Sequence, residues 1–133
     1  MWTSLFTRHI IRKNYFHGLR IRSTSTNATP NPKLYILQYD YVPDALEKRM
    51  PYREAHLAFI GKHVENGNVI LGGAIDNPPT GGLIILRHLS VQNVEQLARQ
   101  DPYVINGIVK QYTIKPYMAV VGDSLLKNDL IKI

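Results

Sequence analysis

The chain of 133 residues contains no cysteine. This absence excludes disulfide bridges, thiolate metal sites, iron–sulfur clusters and a cysteine nucleophile. No apolar run approaches the roughly 18 residues that a membrane-spanning helix needs. Glycine-rich phosphate loops and the His-Glu-x-x-His and Gly-x-Ser-x-Gly motifs are missing as well. We therefore expect a domain that uses no cofactor and no metal and does not span a membrane.

Acidic residues are absent from residues 1–33, which hold six of the 16 Lys and Arg. These six account for the whole formal net charge of +6, because residues 34–133 contain ten basic and ten acidic residues. The part of the chain expected to fold therefore has no excess of positive charge to attract phosphate groups. Its charge does not predict nucleic-acid binding.

The N-terminal 32 residues have the composition of a mitochondrial transit peptide: arginines, many hydroxyl residues and no acids. Trp2, Phe6 and Ile10 would share one face of a helix. Basic residues interrupt the apolar centre that a secretory signal requires. We expect import into the mitochondrial matrix; the alternative is a disordered basic arm that stays on the mature protein.

The pattern of apolar residues and turn residues predicts an α+β domain with the order βαββαβ, in which Ser90 caps the second helix. This order is typical of a ferredoxin-like fold, an antiparallel sheet with both helices on one face. The predicted elements are, in chain order, strand 33–40, a short turn 43–49, helix 51–65, strand 68–75, strand 83–88, helix 90–100 and strand 108–117.

The first and third predicted strands are apolar on both faces, as Leu34-Tyr35-Ile36-Leu37 and Leu83-Ile84-Ile85-Leu86 show. These strands are central in a ferredoxin-like sheet, and the helices cover only one of its faces. The same face of a second copy is the commonest cover for the other. We therefore predict a homodimer, which glutamate at an outward-facing Ile84 or Ile85 would break.

Several short motifs occur in a fixed order on this predicted frame. They are Arg53-Glu54-Ala55-His56-Leu57, Gly72-Gly73, Asp101-Pro102-Tyr103 followed by Gly107, and Lys115-Pro116-Tyr117. With these motifs the chain resembles the YciI-like (YCII-related domain) family over residues 33–118, which leaves residues 119–133 as a C-terminal extension.

This resemblance implies a dimeric α/β barrel type of fold, with a pocket that holds a histidine and an aspartate. Some members of the family act on small chlorinated aromatics by proton transfer. The sequence departs from the family pattern at Gly72-Gly73-Ala74, where a Gly-Pro pair is expected. We therefore expect a different pocket rim.

His56 and His63 fall near the middle of a broad apolar face of the main predicted helix, so both should be partly buried. Two turns, about 10.5 Å, separate them, which is too far for one metal ion. A histidine on such a face is ordinarily a core residue with one hydrogen bond. The family motif makes His56 a candidate base, whereas His63 keeps the core interpretation.

Asp101 precedes a proline at a helix end, where an aspartate ordinarily forms a turn. Beside His56 it would fix the tautomer of the imidazole and make the ring a better base. We therefore predict a His56–Asp101 hydrogen bond at the mouth of a pocket. Arg53 and Tyr103 are candidates for binding an anionic or phenolic substrate, although both residue types are more often surface or packing residues.

Two functions follow from this pattern. The first is a small cofactor-free enzyme of lyase or isomerase type, which uses His56 and Asp101 for proton transfer on a small organic acid or phenol. The alternative is a non-catalytic small-molecule-binding or structural module on the same dimeric scaffold. An open pocket lined by His56, Asp101 and a polar partner would favour the enzyme, and a sealed apolar shell around His56 would favour the module.

Overall fold

A computed structural model describes residues 34–121, so the predicted leader and most of the C-terminal extension lie outside the described residues. The helices and strands are, in chain order, β1 (Leu34–Tyr41), α1 (Ala45–Lys48), a 3₁₀ turn (Met50–Tyr52), α2 (Arg53–Glu65), β2 (Val69–Ile75), β3 (Gly81–Arg87), α3 (Val91–Gln100), α4 (Pro102–Ile105) and β4 (Val109–Tyr117). Within these residues, no helix is long and apolar enough to cross a membrane.

The four strands form one antiparallel sheet in the order β2-β3-β1-β4. The α+β, ferredoxin-like arrangement expected from the sequence is confirmed. β1 and β3 occupy the centre, and Leu37 of β1 lies opposite Ile84 of β3 and Ile114 of β4. Most side chains pointing from β1 and β3 toward the helices are consequently buried.

The core lies between this face of the sheet and the helices. It contains aliphatic residues such as Leu37, Leu86, Val94 and Leu97. Complete burial of each large aliphatic side chain contributes about 1.5–3 kcal/mol. The core also contains tyrosines, among them Tyr39, Tyr41 and Tyr103, whose hydroxyl groups bring polar chemistry into an otherwise apolar region.

The main helix is less buried than its apolar pattern predicts. Phe59 and Ile60 pack against the core, but Leu57 and Val64 are 51% and 53% exposed, and α2 contains no buried residue. Leu57 and Val64 thus belong to the apolar side of α2 without being buried against the core. The reason is geometric: both line a cleft between α2 and the sheet.

The start of α3 agrees with the prediction, because the Asn93 amide donates a hydrogen bond of 3.2 Å to Ser90 Oγ. The helix ends at Gln100. The sequence did not predict the next helix, α4, which places Pro102 in its first turn and Asp101 at its N-cap. Proline is favourable there because its missing N–H would have no partner within the helix.

The opposite face of the sheet carries apolar side chains, as the sequence predicted. Ile36, Leu83 and Ile85 are half-buried, and Leu71 on the edge strand is 57% exposed. Ile84 points instead toward the helices and is 5% exposed. Of the two positions considered for an outward side chain, only Ile85 qualifies, because neighbouring strand residues alternate between faces.

Candidate functional site

A cleft of about 480 Å³ lies between α2 and the β2 side of the sheet. Helix α2 leads through a tight turn into β2, so the two run in opposite directions along the cleft. The end near the start of α2 is polar and is lined by Tyr41, Arg49, Arg53, His56 and Tyr103. The other end is apolar and is lined by Ile60, Val64, Val69 and Ile70.

His56 and Asp101 form the central contact of the site. Asp101 Oδ1 lies 2.8 Å from His56 Nδ1, within the hydrogen-bond reach expected from the sequence. The His56 side chain is 13% exposed and that of Asp101 is fully buried. His56 lines the cleft, whereas Asp101 lies behind it. The expected position of Asp101 at the pocket mouth is therefore wrong, because α4 begins there and encloses its carboxyl group.

Asp101 is held by two further donors. The Tyr103 amide donates to Oδ1 at 2.8 Å, and the Tyr39 hydroxyl donates to Oδ2 at 3.0 Å. Because ionised Asp101 can only accept, the proton of this contact belongs to His56 Nδ1, and Nε2 remains available as a base.

Tyr103 fixes the plane of the His56 ring. The two rings stack with their centroids 3.9 Å apart and their planes within 3°. Tyr41 contacts the Tyr103 ring edge-on, with the centroids 6.0 Å apart. The imidazole is thus oriented by Asp101 at one nitrogen and by Tyr103 across its face.

Tyr39 and Tyr41 remain protonated at ordinary pH. Burial raises the pKa of Tyr39 far above its usual range, and the charge of Asp101 and their hydrogen bond add to this effect. Burial, with a smaller contribution from Tyr103, raises the pKa of Tyr41 to about 12. The positive charges of Arg49 and Arg53 act in the opposite direction on the pKa of Tyr41.

The sequence predicted Arg53 and Tyr103 as binding residues, and the structure places both on the cleft. Arg49, which was not predicted from the sequence, also lines the cleft and is half-buried. Arg49 lies between α1 and the 3₁₀ turn, outside the helix that carries Arg53, so no periodic pattern in the sequence linked the two arginines. Tyr39 was missed as well, because its contact with Asp101 spans 62 positions of sequence.

His63 does not belong to the cleft. It contacts Phe59 edge-on, with the ring centroids 4.9 Å apart, and lies beside residues of α3. Burial lowers its pKa. His63 therefore packs beside Phe59 and α3, but it is only half-buried, so the predicted core position is reached in part. Within residues 34–121, no group of three His, Asp or Glu side chains could hold a metal ion.

Comparison with known proteins places this site in a family. A family model described as the YCII-related domain matches residues 33–118. The chain belongs to the YCII-related domain family. The resemblance inferred from the sequence motifs is thereby confirmed.

Two bacterial proteins are similar along nearly their whole length. Protein YciI of Escherichia coli is 32% identical over 96 residues, which cover 65% of this chain and 98% of YciI. An uncharacterized protein of Haemophilus influenzae is 33% identical over 95 residues, covering 65% of this chain and 97% of that protein. The region similar to this chain thus spans almost the whole length of both relatives.

A solved structure shows the same fold. It is 5-chloro-2-hydroxyhydroquinone dehydrochlorinase (TftG) from Burkholderia phenoliruptrix, in complex with 2,5-dihydroxybenzoquinone. The TM-score is 0.56 at 20% sequence identity, and the match covers 64% of this chain and 93% of the TftG chain. At this identity the comparison establishes the fold of the YCII-related domain.

Residues of three family motifs line the cleft, but Lys115-Pro116-Tyr117 on β4 does not. Gly72, Gly73 and Ala74, where this YCII-related sequence departs from the expected Gly-Pro pair, line the rim. Gly82 lies on the adjacent strand, and a Cβ atom there would be 2.8 Å from the Tyr41 hydroxyl oxygen. The absence of a side chain at Gly82 therefore leaves room for Tyr41 at the polar end.

Proposed function

We propose that the protein is a cofactor-free enzyme of lyase or isomerase type, which transfers a proton on a small organic acid or phenol in the mitochondrial matrix. One observation carries the catalytic part: His56 lies between a buried carboxylate and an open cleft. The basic, acid-free composition of residues 1–33 supports the location.

His56 Nε2 takes a proton from a substrate carbon in the proposed reaction. The imidazolium that forms is stabilised by Asp101, and the stacked Tyr103 ring keeps it in place. The electron pair of the broken C–H bond then has two destinations. It forms a double bond as a leaving group departs from the adjacent carbon, or it forms an enolate that is protonated at another position.

The surroundings of His56 favour an enzyme over a sealed structural module. Arg49, Arg53 and Tyr41 line the cleft with it, so polar side chains and open space both reach the candidate base. TftG, which shares the fold, is named as a dehydrochlorinase, an enzyme that removes chlorine and hydrogen from its substrate. Elimination of this kind is one of the two outcomes proposed for His56.

Deuterium exchange tests this proposal directly. We expect the full-length chain in D₂O to exchange a carbon-bound proton in at least one member of a panel of small organic acids and phenols, observed by ¹H NMR. His56→Ala should abolish the exchange, and Asp101→Asn should slow it by about 10²–10⁴-fold. His63→Ala is the matched control and should exchange at the wild-type rate.

Full exchange by both His56→Ala and Asp101→Asn would contradict a catalytic dyad. Ligand binding without exchange across the whole panel would favour the alternative function, a small-molecule-binding module.

A further inference from the structure

We infer that the cleft selects an aliphatic carboxylate, whose acid group binds Arg49, Arg53 and the Tyr103 hydroxyl and whose apolar chain lies along α2. This inference deepens the proposed function and rests on it, because it names the substrate class for the same cleft.

Two buried polar atoms at the polar end have no hydrogen-bond partner among the described residues. They are Arg49 Nε and the Tyr103 hydroxyl oxygen. Tyr103 is 1% exposed, and both residues line the cleft. A buried polar group without a partner is unfavourable for folding, so such groups in a native structure commonly have a ligand to bind. Arg49 Nε can only donate a hydrogen bond and the Tyr103 hydroxyl can donate one, so an acceptor such as a carboxylate oxygen would satisfy both.

The positive charge at this end points to a full anion. Within residues 34–121 the ion pairs are His56–Asp101 and Glu95–Arg99, and neither includes Arg49 or Arg53. The first turn of α2 adds the positive end of a 13-residue helix. A carboxylate is ionised at neutral pH and gains from all these charges, whereas an ordinary phenol is neutral there.

The apolar end gives the length of the ligand. Arg53, His56, Ile60 and Val64 line the cleft from the same helix. At 1.5 Å per residue, His56 lies about 4.5 Å and Val64 about 16 Å along the axis from Arg53. A carboxylate at Arg53 therefore brings its first or second carbon opposite His56. The rest of the chain reaches Leu57 and Val64, two exposed apolar side chains that it would cover.

Binding of a series of carboxylates tests the inference. We would titrate the full-length chain with acetate, butanoate, hexanoate and octanoate, and with hexanamide and phenol as neutral probes, by ¹⁵N-resolved NMR. Affinity should rise about two- to fourfold for each added methylene that contacts Leu57 and Ile60. Hexanoate should bind at least tenfold more tightly than hexanamide or phenol.

Two substitutions separate a binding role from a structural one. Arg49→Gln should weaken hexanoate binding at least tenfold and leave hexanamide binding unchanged. Tyr103→Phe keeps the ring stacked on His56 and removes only the unpartnered hydroxyl. It should weaken hexanoate binding about threefold or more without lowering the thermal midpoint. Arg99→Gln, which changes an arginine 70% exposed on α3, is the charge control and should bind like wild type.

Equal affinity for hexanoate, hexanamide and phenol would overturn the inference, as would hexanoate binding that is unaffected by Arg49→Gln. Failure of the carboxylate site can be told apart from failure of the proposed catalysis, because His56→Ala should lose proton exchange but still bind hexanoate. If hexanoate binding depends on Arg49 but no carboxylate exchanges a proton, the carboxylate site is supported and the catalytic proposal is contradicted.

Discussion

At the scale of single residues, the site depends on one buried carboxylate with three neighbours. The local motif around His56 and the position of Asp101 before a proline identified this pair from the sequence. Tyr39 and Arg49 could not be found in the same way, because no short motif surrounds them. Tyr39 meets Asp101 across 62 positions of sequence, so only the folded sheet brings them together.

Tyr39→Phe should destabilise the fold by about 1–3 kcal/mol. It removes the hydrogen bond to Asp101 Oδ2 and leaves a buried carboxylate oxygen without its donor. Urea unfolding followed by circular dichroism measures the change. Tyr103→Phe is the matched control, since its hydroxyl has no partner among the described residues and its loss should cost little. Equal stability of Tyr39→Phe and wild type would contradict this account of Asp101.

Tyr41 predicts how stability changes at alkaline pH. Burial raises its pKa to about 12, from 10.0 for an ordinary tyrosine. The contribution of Tyr41 to the stability of the fold is present in full below pH 10. Above pH 10 the unfolded chain releases this proton while the folded chain retains it, so stability falls as the pH rises toward about 12. Urea unfolding of wild type and Tyr41→Phe between pH 8 and pH 11.5 should show a smaller loss in the variant, with the exposed Tyr117→Phe as control.

At the scale of secondary structure, runs of strand-forming residues between turn residues predicted the strands, and Ser90 predicted the start of α3. Helix α4 was missed because four residues carry no periodic signal, and Pro102 was interpreted as a stop when it also begins a new helix. The sequence also did not predict that a cleft separates part of α2 from the sheet. Leu57 and Val64 have the spacing of a buried face, but a cleft wall can carry the same apolar side chains.

Gly82→Ala should disturb the polar end of the cleft. The added Cβ would lie 2.8 Å from the Tyr41 hydroxyl oxygen, which is too close for an unstrained contact. Overpacking of this kind costs about 1–3 kcal/mol and should displace Tyr41. Gly73→Ala is the matched control on the neighbouring strand, because nothing lies within 4 Å of its added Cβ. Thermal unfolding of both variants checks the difference, and equal midpoints would contradict it.

At the scale of the whole molecule, the charge distribution separates residues 1–33 from the near-neutral remainder. We expect removal of the leader near residues 22–26 on import, because the basic, acid-free stretch ends there and β1 begins only at Leu34. Mass spectrometry of the protein isolated from mitochondria measures the mature N-terminus. Recovery of the chain with an intact Met1 would contradict removal and favour a retained basic arm.

The second whole-molecule expectation is a homodimer through the sheet face opposite the helices. Ile36, Leu83 and Ile85 give that face an apolar centre, and a twofold-related copy is its commonest cover. Ile85→Glu should therefore produce a folded monomer, since burying an unpaired carboxylate in an interface costs several kcal/mol.

Light scattering at micromolar concentration, with circular dichroism as the check on folding, distinguishes this interface effect from a loss of fold. Ile84→Glu should instead unfold the chain, because Ile84 points into the core and is 5% exposed. Leu46→Glu changes a 46% exposed side chain on α1, away from the sheet face, and should remain dimeric. A wild-type monomer would refute the dimer, and a dimeric Ile85→Glu would place the interface elsewhere.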